Sequence, residues 1–126
     1  MSKDGVSWRK QPAEKDFAAA SSFLSLIYPQ ARTLSLVRAL RNAGTVRHVA
    51  KDLLRASNLP LLAADEPHVA EDLKRIRKGK ALSPVLLVRG DMSKSVPLIV
   101  ADGYHRICAT CYYDEDAPIS CRLVQG

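Results

Sequence analysis

Asp102-Gly103-Tyr104-His105-Arg106 is the stretch of this chain whose residue types and spacing are best suited to chemistry. It follows the apolar run Leu98-Ile99-Val100-Ala101, which reads as a buried strand. The residues after it keep helical spacing, with Ile107 and Cys111 on one side and Cys108 close by. A helix N-terminus exposes unpaired N–H groups and carries about half an elementary positive charge. A glycine just before it lets a ligand approach the backbone. Arg106 adds a planar donor fork suited to phosphate, and His105 adds one or two more donors. Cationic side chains at this end oppose the helix dipole, an arrangement easier to understand if an anion lies between them. The chemistry indicated is phosphate or carboxylate binding at a strand-to-helix turn. The candidate catalytic groups are His105 and Asp102, the nearest carboxylate for a metal ion or a general base. The competing reading is structural: His105 caps backbone groups, Arg106 pairs with Asp102 or another acidic residue, and Asp102 shapes the turn.

The other spacing that invites chemistry is His105-x-x-Cys108-x-x-Cys111, with Cys121 downstream. Positions i, i+3 and i+6 of one helix span about 600° of rotation, so these side chains cannot converge on one ion. The cysteines read as small buried apolar residues, and no protein metal site and no zinc are expected in this chain. Three cysteines, two of them close together on one helix, also do not suit a disulfide framework.

Around this turn the chain reads as alternating elements. Pro12 suits a first helical position, and Phe17, Ala20, Leu24 and Ile27 mark one face of a helix ending near Tyr28-Pro29. A second helix is expected from about Ala31 to Ala43, with Leu36, Val37 and Leu40 inward and Gly44 closing it. Thr45 to Ser57 reads either as a third helix or as one ending in a short extended piece around Asp52-Leu53-Leu54. Leu59-Pro60-Leu61-Leu62 is a strand or an extended connection. Asp65-Glu66-Pro67 opens a helix whose apolar face is Val69, Leu73 and Ile76, stopping near Lys78-Gly79-Lys80. Pro84 to Val88 and Pro97 to Ala101 are strands separated by a polar turn. After a helix from about Tyr104 to Tyr113, Ile119 to Val124 alternates like a final strand. Met1 to Gln11 reads as a disordered or loosely attached start.

The bulk numbers fit a single soluble domain. The 126 residues suffice for one core, with 47% hydrophobic and 25% charged residues. No apolar run approaches the about 20 residues needed to cross a membrane, and the first residues lack a secretory hydrophobic segment. A cytoplasmic protein is expected. The net charge of +6 resides in Met1 to Ala63, which holds ten basic and four acidic residues; Ala64 to Gly126 holds nine of each. A basic half invites a polyanion partner.

The segment LIVADGYHRICATCYYDEDAPISCRLV resembles the ParB/sulfiredoxin superfamily, in which a strand, a Gly-x-His-Arg or Gly-Glu-Arg-Arg turn, an Ala-rich helix and a final strand follow one another. The helix HVAEDLKRIRKGK and the strand SPVLLVRGD fit the order expected upstream, so the likeness covers about Lys51 to Gln125. It implies an α+β fold, a small mixed sheet flanked by helices. Residues 51–126 would form the ParB/sulfiredoxin-like domain, and residues 1–50 a helical N-terminal extension packed on its core. In the sulfiredoxin branch the turn is Gly-Cys-His-Arg. Gly103, His105 and Arg106 match its phosphate-holding positions, but Tyr104 occupies the reactive cysteine's place. The ParB branch binds CTP through a turn of which only Gly103 and Arg106 have counterparts. A branch of free-serine kinases carries a Gly-His-His-Arg-like turn. The resemblance also implies a pocket that uses outward residues of the preceding helix, His68, Glu71 and Arg75, with Lys80 and Ser83 near the same cleft.

Three functions follow as expectations. The first is a nucleotide- or phosphate-binding protein, a small phosphotransferase or nucleotide hydrolase, taking ATP, ADP or CTP with Mg²⁺ at Gly103, Tyr104, His105 and Arg106. The second is nucleic-acid binding through the basic half, with Arg47, Lys51 and Arg55 as a helical stripe at i, i+4 and i+8. The third is a catalytically inactive module that binds a partner, suggested by Tyr104 standing where the reactive residue would be.

Overall fold

A computed structural model of the chain describes residues 5–126. Its elements are α1 (Glu14–Leu24), α2 (Gln30–Asn42), β1 (Val46–Val49), α3 (Ala50–Ser57), α4 (Pro67–Arg77), β2 (Val85–Arg89), β3 (Ile99–Asp102), α5 (Tyr104–Asp114) and β4 (Pro118–Gln125). A 3₁₀ turn, Met92–Lys94, lies between β2 and β3. The fold is α+β, with a four-stranded mixed sheet in the order β1-β4-β2-β3. β2 and β4 run parallel, while β1–β4 and β2–β3 are antiparallel.

β2 explains how the layers form. Four of its five residues, Val85 to Val88, are buried, because helices cover both faces of this central strand. Period-two alternation sends Leu86 and Val88 to one side, against Phe17, Ala20 and Leu24 of α1 and Leu36 and Leu40 of α2. Val85 and Leu87 point to the other side, against Ala50 and Leu53 of α3 and Ile107 of α5. α4 packs on α5 through Val69, Leu73, Ile76, Cys108 and Ala109. Arg122 of β4 donates to the carbonyls of Leu40 and Arg41 at 3.1 and 2.8 Å, satisfying acceptors left open at the end of α2.

Most expected elements are present with small shifts in their ends, and four differences have physical causes. α1 begins at Glu14 rather than Pro12, because Ala13 is extended and its N–H donates to the Asp16 carboxylate at 2.9 Å. It stops at Leu24, which leaves Ile27 exposed instead of inward. The extended piece between α2 and α3 lies at Val46–Val49, not at Asp52 to Leu54, because pairing with β4 (Val46 opposite Cys121) fixes it there. This strand belongs to the sheet and runs directly into α3. Leu59 to Leu62 is an extended connection. Of the start expected to be loose, Met1 to Asp4 lie outside the described residues. Ser7 to Arg9 run beside Leu82, with Arg9 N–H donating to the Leu82 carbonyl at 2.8 Å and Leu82 N–H to Ser7 at 2.9 Å. Among the described residues no helix is long and apolar enough to cross a membrane.

Candidate functional site

A cleft of about 420 Å³ opens where β3 hands over to α5. The Asp102–Arg106 turn forms one wall, α4 contributes His68, Glu71, Asp72 and Arg75, and Ser83 precedes β2. Arg9 and the start of α1, with Lys15 and Asp16, close the remaining side. The structure therefore brings together His68, Glu71, Arg75, Ser83, Asp102, Gly103, His105 and Arg106, eight residues proposed from sequence. It leaves Tyr104 and Lys80 outside the lining. Tyr104 turns away because its hydroxyl donates to the Pro60 carbonyl at 2.5 Å while its ring packs between two core clusters. Lys80 lies exposed beyond the end of α4.

The cleft floor is built on Arg106, whose side chain is 12% exposed. One terminal nitrogen donates to the carbonyls of Ser83 at 2.6 Å and Pro84 at 3.3 Å. The other reaches Asp102 at 2.5 Å and lies 3.7 Å from Asp16. This is the pairing weighed above as the structural alternative, extended to a second carboxylate from α1. Arg106 thus ties three separate parts of the chain together: α1, the entry to β2 and the end of β3.

Two carboxylates facing one arginine leave an excess negative charge in a partly dry site. The Asp102 carboxyl is raised to about 6, chiefly by burial. Arg106 opposes this rise and the neighbouring Asp16 adds to it. Folded protein consequently holds a proton that unfolded chain releases between about pH 4 and pH 6. Stability should rise as pH falls from 7 towards 5, by about 1 kcal/mol once partial exposure is allowed for. Urea midpoints at the two pH values check this, and Asp102→Asn should remove most of the difference.

Gly103 is the N-cap of α5 with φ of 115°, a conformation that side chains rarely adopt. Its missing side chain faces the core rather than the cleft, since a Cβ there would meet Val85 Cγ2 at 2.7 Å. Glycine is accordingly demanded by backbone shape and packing, not by the close approach of a ligand. No side chain of the N-cap residue satisfies the first turn of α5, so its N–H groups at Tyr104, His105 and Arg106 begin the helix uncapped.

The charges around that turn divide into committed and uncommitted groups. Arg75 is bound to Asp72 at 3.0 Å and lies 3.9 Å from Glu71. Arg9 and Lys15 form no ion pair among the described residues. Those two and Asp16 went unnoticed in the sequence. Asp16 had a legible signal: it stands four residues before Ala20 and eight before Leu24, placing a carboxylate on the buried stripe of α1. Arg9 and Lys15 offered none, because nothing local shows that the start of the chain folds back over the turn.

The basic stripe expected at Arg47, Lys51 and Arg55 does not form on one helix. Arg47 lies in β1, whereas Lys51 and Arg55 lie in α3. Lys51 pairs with Asp116 at 2.7 Å and Arg55 with Asp52 at 3.2 Å. The cysteines behave as small core residues: Cys108 and Cys121 are buried, Cys111 is half-buried and all three are free. Burial pushes the Cys111 and Cys121 thiols up to about 11, where they are poor nucleophiles near neutrality.

No protein-family model, curated protein or solved structure matches this chain.

Proposed function

We propose that this protein binds the phosphate groups of a nucleotide in the cleft, against the first turn of α5, and that it is a domain of ParB/sulfiredoxin type. The observation that carries the reading is the pair Arg9 and Lys15. Two cations without ion-pair partners among the described residues line the same cleft as an uncapped helix N-terminus. Backbone N–H groups and the helix dipole favour an anion there, and flexible cations at the rim would close over its remaining oxygens. The likeness in sequence supports the same place, since the element order α4-β2-β3-α5-β4 follows the order expected of that family.

The division of labour differs from that expected of the motif alone. Arg106 serves as the post that fixes the turn, while Arg9, Lys15 and the exposed edge of His105 contact the ligand. Asp102, held near neutrality in its protonation, is the group able to take up or release a proton in hydrolysis or transfer of a phosphoryl group. Mg²⁺ would arrive on the phosphates, as is usual for an ion that keeps much of its own water.

Calorimetric titration of the full chain with ATP, ADP and CTP, with and without Mg²⁺, tests the proposal. Saturable binding is expected for at least one of them, weakened about tenfold by Arg9→Ala combined with Lys15→Ala, from loss of two charge-assisted contacts. Absence of binding to all three, or affinity indifferent to that double substitution, would refute it.

A further inference from the structure

The cleft has a second chemical feature at its upper rim, where the N-termini of α4 and α5 meet. Glu66, the N-cap of α4, uses one carboxylate oxygen, Oε1, to accept the Val69 N–H at 2.8 Å. That bond orients the other oxygen, Oε2, towards two histidines. His68 Nδ1 lies 3.2 Å from it and His105 Nε2 lies 3.7 Å from it. The two imidazole rings sit with centroids 4.8 Å apart, and the three donor atoms all fall within 4.8 Å of one another.

From this geometry we infer that Glu66, His68 and His105 form a binding site for a single divalent transition-metal ion of the zinc type. Two imidazoles and one carboxylate are a donor set that suits zinc and its neighbours and does not suit Mg²⁺ or Ca²⁺. Tetrahedral bonds of 2.0–2.1 Å place ligand atoms about 3.3 Å apart; the two distances to Oε2 bracket this spacing, and the two histidine nitrogens, within 4.8 Å of each other, would draw in on the ion by side-chain rotation. Three protein ligands leave a fourth position open, and two of the three, His68 and His105, line the cleft. The carboxylate is already pinned by its backbone bond, which is how a ligand is usually held in orientation by its surroundings. A donor set drawn from the starts of two helices is invisible to a search for cysteine and histidine spacing. The site involves none of the cysteines, and it stands whether or not a nucleotide binds.

The test is a titration of untagged, metal-free full chain with Co²⁺ and Zn²⁺ alone, without nucleotide. One equivalent should bind, with the Co²⁺ absorption of nitrogen and oxygen ligation and no thiolate charge-transfer band. His105→Ala and His68→Ala should each weaken binding by tenfold or more, and Glu66→Gln, which keeps an acceptor for the α4 cap, should do the same. His48→Ala, at an exposed position on β1, should leave binding unchanged. No binding, binding equally sensitive to His48→Ala, or a thiolate band would overturn the inference. Because the metal is added alone, failure here leaves the phosphate proposal standing, and failure of nucleotide binding leaves this one standing.

Discussion

Arg106→Ala should destabilise the protein by about 3–5 kcal/mol at pH 7, the cost expected when one partner of a buried ion pair is deleted. The substitution strands Asp16 and Asp102 against each other, with side chains only 8% and 18% exposed, and removes the donor to two carbonyls at the entry to β2. Domains of this size are stable by about 5–15 kcal/mol, so the loss is a large share of the total. The cost should shrink at pH 5, because a protonated Asp102 no longer needs the cation. Arg106→Lys should recover only part of the loss, since a single ammonium cannot bridge both carbonyls and both carboxylates as the guanidinium fork does. Urea unfolding of the three proteins at both pH values checks the whole set. An Arg106→Ala protein as stable as the parent would mean that the guanidinium does not anchor the turn.

Gly103→Ala should cost about 2–4 kcal/mol, from backbone strain at a positive φ and from overpacking against a stiff, buried valine. The added Cβ would lie 2.7 and 2.9 Å from the two Val85 methyl carbons, and Val85 is fully buried in the central strand. The two contributions can be separated. In a Val85→Ala background the two methyl contacts are removed, leaving a Cβ approach of 3.1 Å and the φ of 115°, so Gly103→Ala should then cost about half as much. Equal costs in both backgrounds would place the whole effect in the backbone and remove the packing role assigned to Val85.

These two residues show what could be read from the sequence and what could not. The apolar runs of β2 and β3 and the helical spacing of α4 and α5 reveal the second half of the fold, because each element is long enough for its period to show. The DGYHR turn is legible for the same reason: it lies at the point where period two gives way to period 3.6. The pairing of Arg106 with Asp102 was legible, whereas for Asp16 only its place on the buried stripe was: it lies 90 residues before Arg106, and only tertiary packing joins the two. The reason for Gly103 was half legible. The turn announces a glycine, but only the packed structure shows that its side chain would collide with Val85 and not with a ligand. β1 escaped recognition because its four residues, VRHV, are mostly exposed and take their shape from β4. The Glu66, His68 and His105 cluster joins two helix starts 37 residues apart, which no local pattern records.

The most direct test of the central claim is the nucleotide titration followed residue by residue in amide ¹H–¹⁵N spectra. Binding of ADP or ATP should produce its largest shifts at the amides of Tyr104, His105 and Arg106, with smaller ones near Arg9 and Lys15. Resonances of α2 and of the Lys51–Arg55 face should stay in place. Shifts centred on α3 or spread without relation to the α5 turn, or none at saturating nucleotide, would contradict the account.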